Sequence, residues 1–276
     1  MRLIFRRVVV DAAFGQMMID KSLPPSNNLT DQKAYFRHRT WDALKAAGAG
    51  RFPGIRGRIP NFIGAEAAAD HLQACDEWRQ ASVIKCNPDM PQRPLRRAAL
   101  ADGKTVYLAV PRLSEVHPFI VLDPNEIPAS AFWAASSIKG AFHWGRPVSL
   151  SAMNPIDLVV TGCVGVSDDG TRLGKGGGYS DLEFALLRSH DLISADVAVA
   201  TTVHPVQRYA RDVLPRCAHD VTIDLVATPD GLHRLDRRGP RPPGIIWTAL
   251  TSEKLQAIPV LAGAKRMLNA DANRRR

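Results

Sequence analysis

Residues 168–181 read Asp168-Asp169-Gly170-Thr171-Arg172-Leu173-Gly174-Lys175-Gly176-Gly177-Gly178-Tyr179-Ser180-Asp181. Gly174, Gly176, Gly177 and Gly178 put four glycines into five positions. Such a backbone reaches positive φ without penalty and lets a ligand approach with no Cβ in the way. Its successive amide groups can line an anion-binding concavity. Arg172 and Lys175 bring fixed positive charge, one as a planar fork and one as a point charge. The run that follows, 181–187, reads as a helix whose N-terminus favours an anion. The apolar run 156–166 reads as a buried strand. A strand, a basic glycine-rich loop and a helix together make a phosphate-binding arrangement. The loop is not a Walker A motif, since no Gly-Lys-Ser/Thr closes it. It also lacks the acidic residue that accompanies Gly-x-Gly-x-x-Gly in dinucleotide sites. The alternative reading is a surface hairpin whose glycines serve turns.

Other residues could serve the same chemistry. Lys33 and Arg37 lie four apart on a predicted helix over 30–47, hence on one face about a turn apart. Two like charges there call for an anion, or form a solvated basic face. Thr30 is the expected N-cap, and Gly48 the stop. His219-Asp220 sits in a loop, where aspartate commonly serves a turn. Asp181 and Asp220 are the carboxylates placed beside these loops.

The pattern Gly170-x-Arg172-Leu173-Gly174-x-Gly176-x-Gly178-Tyr179-x-Asp181 resembles the signature of the 5-formyltetrahydrofolate cyclo-ligases, also called methenyltetrahydrofolate synthetases. The resemblance runs from about Lys33 to about Val260. It implies that Lys33 and Arg37 reach the phosphates of ATP, joined by Arg172, Lys175 and the glycine loop. It implies that Asp181 and Asp220 hold Mg²⁺ and that Tyr179 faces the substrate. The implied reaction is ATP-dependent conversion of 5-formyltetrahydrofolate to 5,10-methenyltetrahydrofolate with release of ADP and phosphate. Lys33, Arg172, Lys175 and Tyr179 are the expected catalytic residues. Lys33, Arg37, Arg172, Gly174, Lys175, Gly176, Gly177, Gly178 and Tyr179 are the expected ATP-binding ones.

The pattern departs from the family in two places. Gly64-Ala65 stands where the family has an acidic residue that touches the folate, leaving Asn61 or Glu66 as substitutes or a different substrate. Ser180 and Leu182 replace a second Tyr and an Arg. The segment 237–260, rich in proline and carrying Gly244-Ile245-Ile246-Trp247, is similar to the branch named methenyltetrahydrofolate synthetase domain-containing proteins.

Stepping along the rest of the chain, helices are expected over 66–78 and 95–101, and strands over 81–86, 105–110, 195–201 and 221–228. Helices alternating with strands predict an α/β fold, a layered and mostly parallel sheet flanked by helices. The resemblance implies a relative of the sugar-phosphate isomerase and CoA-transferase folds. Phe132, Trp133, Phe142, His143 and Trp144 read as core aromatics, or as walls of a pterin-sized pocket. Residues 1–28 are expected to be an extension or linker, with Met1–Val10 an edge strand at most. Residues 29–268 form a single domain, and 269–276 a basic tail.

The chain has 276 residues, 45% of them hydrophobic and 23% charged, with a net charge of +9. Its isoelectric point is near 9.7. That charge favours anionic partners, which are phosphorylated or carboxylated small molecules or nucleic acid. Few aromatics interleave with the basic residues, so a small-molecule substrate is expected and no nucleic acid, and the resemblance implies that this substrate is a reduced folate. The remaining rivals are a paralogue that uses the same ATP and Mg²⁺ site on another substrate and a basic nucleic-acid-binding protein. No apolar run reaches the 18 or so residues that span a bilayer. The four cysteines form no Cys-x-x-Cys pair and read as reduced residues of a cytoplasmic protein. A monomer or homodimer is expected.

Overall fold

The structure, a computed structural model, describes residues 26–236 and 239–265. The expected N-terminal strand and the basic tail lie outside them. Helix α1 (Leu29–Ala46) is capped by Asn28, whose Oδ1 accepts the amide of Thr30 at 2.7 Å. The expected cap, Thr30, lies inside the helix. The run expected as one helix over 66–78 divides into α2 (Ala65–Gln73) and α3 (Asp76–Gln80), because Cys75 is extended.

Next come β1 (Val83–Cys86), α4 (Arg93–Ala101), β2 (Thr105–Ala109) and β3 (Phe119–Leu122). The short helices α5 (Phe132–Ala135) and α6 (Ile138–Trp144) lead to β4 (Arg146–Val148). Then follow β5 (Leu158–Val160), β6 (Gly165–Ser167), β7 (Arg172–Leu173) and α7 (Tyr179–Ser189). The chain continues through β8 (Ala198–Thr202), β9 (Arg208–Tyr209), β10 (Leu225–Thr228), β11 (Gly231–Arg234) and α8 (Ser252–Ala257).

Eight strands form the main sheet in the order β11-β10-β8-β5-β1-β2-β3-β4. The central five, β10 to β2, run parallel, and the edges are antiparallel. Side chains alternate across it with period two. Val106 and Leu108 pack under α2 and α4, while Tyr107 and Ala109 join the core beneath α7. Strand order reverses between β1 and β5, so the chain leaves a crevice at the carboxyl ends of these strands. Open α/β sheets bind ligands at such a point.

The apolar run 156–166 is not one strand. It leaves the main sheet after Val160 and re-enters a second sheet, β7-β6-β9, at Gly165. The transfer passes through Gly162, where a Cβ would stand 2.8 Å from Ile59 and 2.9 Å from the Gln92 side chain. Helix α1 lies on this small sheet. Phe36 packs with Leu173 and Tyr209, and Trp41 with Ile59 and Val164. Thr40 hydrogen-bonds the Tyr209 hydroxyl at 2.5 Å. Burial pushes that phenol up to about 12, so it remains a neutral clasp.

Of the aromatics read as core or as a pocket wall, Phe132 and Trp144 pack against the core and none lines the cleft described below. Trp133 and Phe142 are more than half exposed, and Arg93 lies 3.9 Å above the Trp133 ring. A short break at Ser136 and Ser137 separates α5 from α6 and turns these side chains outward.

At the far edge, Arg234 of β11 pairs with Glu77 of α3. That hydrogen bond holds the Glu77 carboxyl at about 2, against an ordinary 4.5. A depressed pKa stabilises the fold above about pH 4.5 and loses its effect as pH falls toward 2. Glu77→Gln is therefore expected to cost no more than about 1 kcal/mol at neutral pH, the pair being half exposed. The difference in melting temperature from wild type should close between pH 4.5 and 2.

Candidate functional site

The glycine loop joins β7 to α7. Gly178 caps α7 at φ +68, and a Cβ there would lie 3.0 Å from the Lys254 ammonium. Tyr179, Ser180 and Asp181 then fill the first helical turn. This places the loop at the mouth of the crevice between β1 and β5.

A cleft of about 370 Å³ opens here. Asn87, Pro88 and Asp89, which follow β1, form one part of its wall, and Ala109 to Arg112, which end β2, form another. The loop contributes Arg172, Gly174, Lys175, Gly177, Gly178, Tyr179 and Asp181. The volume lies in the range of small-ligand sites.

Helix α1 holds the loop from another side. The Arg37 Nε donates to the Gly174 carbonyl at 2.7 Å, and the guanidinium passes close to Gly176. Burial lowers the Arg37 pKa and the neighbouring Arg172 adds to this, while Asp220 opposes both. One turn earlier, Lys33 donates to Asp220 Oδ2 at 2.5 Å. Arg37 thus meets the loop 137 residues further on, and Lys33 meets Asp220 187 residues further on. Lys33, Arg37 and Asp220 do not line the cleft itself.

The two expected metal ligands are linked through the backbone next to Asp220. Asp181 Oδ1 accepts the Val221 amide at 3.0 Å, which draws the neighbouring Asp220 to the same edge. Arg172 also donates to that oxygen. Burial works against the Asp181 charge, yet Arg172 and the Val221 amide hold its carboxyl below the ordinary carboxylate range. Asp220 Oδ2 takes Lys33 and the Cys217 amide. The other oxygens, Asp181 Oδ2 and Asp220 Oδ1, receive no hydrogen bond among the described residues. Two carboxylates, each anchored at one oxygen and with His219 Nε2 3.7 Å from the other oxygen of Asp220, fit the need of Mg²⁺ for one or two carboxylates beside phosphates and water. Cys217 and His219 lie within 4.8 Å of Asp220, but a hard cation prefers oxygen.

Each expected cation has its own anchor. Arg172 is buried, with its Nε lacking any hydrogen-bond partner. Lys175 is half exposed and lies 3.4 Å from Asp89. Of the four cations it has the most freedom to turn toward a ligand. Asn61 and Glu66 are accounted for elsewhere. Asn61 donates to the Phe52 carbonyl, and Glu66 pairs with Arg51 in solvent.

Several site residues carried no sequence signal strong enough to be singled out. Arg96 of α4 is buried and donates to the carbonyls of Asn87, Pro88 and Asp89, fixing the loop after β1. Burial lowers its pKa, and these carbonyls supply the compensating bonds. Lys85 and Glu183 form a buried pair at 2.5 Å beside the cleft. A lysine inside an apolar strand was the available clue. Lys254 of α8 lies 5.6 Å over the Tyr179 ring. The C-terminal segment reaches this place because buried Arg241 binds the carbonyls of Thr222 and Val197.

Residues 31–229 match the 5-formyltetrahydrofolate cyclo-ligase family. The chain belongs to that family. Relatives named methenyltetrahydrofolate synthase domain-containing protein are 34% identical over 230 residues in Bos taurus and 35% identical over 230 residues in Mus musculus. Both alignments cover 83% of this chain, and 60% and 62% of those relatives. The chain thus spans about three-fifths of the length of the curated relatives it matches. A solved 5,10-methenyltetrahydrofolate synthetase from Aquifex aeolicus is 19% identical, with a TM-score of 0.48, covering 79% of this chain and 99% of its own. At that score the structural likeness adds nothing to the family match. No helix among the described residues is long and apolar enough to cross a membrane.

Proposed function

We propose that this cyclo-ligase family member converts 5-formyltetrahydrofolate to 5,10-methenyltetrahydrofolate at the expense of ATP. One observation carries the reading. The glycine loop and Asp181 line one cleft, Arg37 of α1 holds that loop at Gly174, and Lys33 of the same helix pairs with Asp220 outside the cleft lining. The loop amides, Lys175 and the buried Arg172 favour a polyphosphate there.

Phosphoryl transfer asks the protein mainly for position and charge neutralisation. The formyl oxygen attacks the γ-phosphorus, and ADP leaves. N10 then attacks the activated carbon. The carbon–oxygen bond breaks, phosphate departs, and the N10 proton is lost. Lys175 gathers the phosphates. Arg37 holds the loop through the Gly174 carbonyl. Arg172 fixes Asp181 and Lys33 fixes Asp220, each through one carboxylate oxygen. Asp181 and Asp220 would hold Mg²⁺, and the chemistry it would supply is neutralisation of the phosphate charge. Tyr179 presents its ring beside the loop.

The test uses the full chain with ATP, Mg²⁺ and 5-formyltetrahydrofolate. Growth of the methenyl chromophore in step with ADP is the expected result. Absence of both removes the assignment.

A further inference from the structure

One part of the cleft wall differs in character from the phosphate-attracting loop. Asn87, Ser180 and Glu183 lie side by side there. Glu183 is 5% exposed and Lys85 behind it 1%. Lys85 Nζ donates to Glu183 Oε2 at 2.5 Å and to Asn87 Oδ1 at 2.9 Å. Asn87 Nδ2 in turn donates to Ser180 Oγ at 2.8 Å. Each bond fixes the next group. Lys85 holds one oxygen of the carboxylate, and Ser180, already an acceptor, has its own proton to give. Glu183 Oε1 receives no hydrogen bond among the described residues.

A buried ion pair is a poor stabilising device, and well-packed apolar residues of similar volume do as well or better. Its place on a cleft wall is therefore better explained by a ligand. A phosphate is the wrong one, since a carboxylate repels it. The wall presents one strong acceptor, Glu183 Oε1, beside one donor, the Ser180 hydroxyl. The rest of the cleft near them is apolar, from Ile59, Ala109, Val110, Pro111 and Ile138. Apolar surfaces around a paired acceptor and donor suit a flat ring with an exocyclic amine next to a ring nitrogen.

We propose that Glu183 and Ser180, positioned by Lys85 and Asn87, form the subsite that reads the amino-substituted edge of a nitrogen heterocycle. Glu183 accepts from the exocyclic amine, and Ser180 donates to the ring nitrogen. The identity of that ring as the pteridine of the folate rests on the function proposed above. Adenine carries a similar edge, so the experiment separates the two.

Binding of 2-amino-4-oxopteridine, of its 2-oxo analogue, of 5-formyltetrahydrofolate and of ATP is measured by calorimetry for the wild type and Glu183→Gln. The wild type should prefer the amino pteridine over the oxo analogue, because a carbonyl there faces the carboxylate. Glu183→Gln should erase that preference and weaken 5-formyltetrahydrofolate roughly 10- to 100-fold, the worth of one hydrogen bond to a charged group. ATP should stay within about twofold. If ATP weakens and the pteridines do not, the edge belongs to the nucleotide base and the assignment to pteridine is overturned. Unchanged binding of all four overturns the subsite. Should Glu183→Gln fail to fold, Ser180→Ala removes the donor with no buried charge involved. It should weaken the pteridine about 3- to 10-fold at an unchanged melting temperature, and unaltered binding again overturns the proposal. Wild-type protein that binds the pteridine without turning over 5-formyltetrahydrofolate removes the reaction and keeps the subsite. Turnover with a KM that Glu183→Gln leaves untouched does the reverse.

Discussion

Asp181→Asn is expected to lower kcat/KM for the ATP-driven cyclisation roughly 10²- to 10³-fold, the scale of one lost electrostatic contact to developing charge. The carboxylate accepts from Arg172 and from the Val221 amide with one oxygen and leaves the other open. Asparagine keeps the shape and a hydrogen-bonding oxygen. It removes the negative charge that offsets the buried Arg172 and that would meet Mg²⁺. Steady-state kinetics at saturating folate, with Mg²⁺ varied, check this. The variant should need more Mg²⁺ for half-maximal rate. Wild-type kcat/KM and an unmoved Mg²⁺ requirement would take Asp181 out of the site. Arg172 should not be rescued by lysine, because a lysine cannot reproduce a planar fork in that buried place.

Lys85→Met is expected to produce the largest loss of stability among the changes considered. It leaves Glu183 ionised and buried with only Asn87 beside it, at 3.5 Å. Removing one member of a buried ion pair costs about 3–5 kcal/mol, or roughly 6–20 °C in melting temperature for a chain of this size. Adding Glu183→Leu to Lys85→Met should return most of that loss, since an apolar pair pays no desolvation cost. Thermal melts of the single and double variants settle both points. A single variant that melts within about 2 °C of wild type would mean that Glu183 takes up a proton at little cost. The recovered double variant should fold and still fail to bind the pteridine, separating the stabilising role of the pair from its recognition role.

Much of this site was legible in the sequence because the information was local. Four glycines in five positions, with Arg172 before them and a helix after, needed only the ordinary behaviour of backbone and charge. The four-residue spacing of Lys33 and Arg37 put them on one face of α1, and that face meets the loop. The alternation of helices and strands was enough for a mostly parallel sheet. Two things depended on tertiary placement. Glu183 lay in an apolar helical run and Lys85 in an apolar strand, 98 positions apart, and nothing in either segment announces its partner. The apolar run 156–166 reads as one strand because burial continues through it, although the chain changes sheets at Gly162. The stretch 132–144 was legible only in part: Phe132 and Trp144 pack against the core as aromatic residues suggest, but two short helices there leave Trp133 and Phe142 in solvent. The missing acidic residue at Gly64-Ala65 was sought nearby in sequence, at Asn61 and Glu66. The carboxylate on the cleft wall instead comes from α7.

The central claim is that the formyl oxygen is phosphorylated before the ring closes. Oxygen-18 placed in the formyl group of 5-formyltetrahydrofolate tests it most directly, with the released phosphate read by mass spectrometry. The account predicts that each phosphate formed with methenyltetrahydrofolate carries the label. Phosphate that remains unlabelled while the chromophore appears would contradict it.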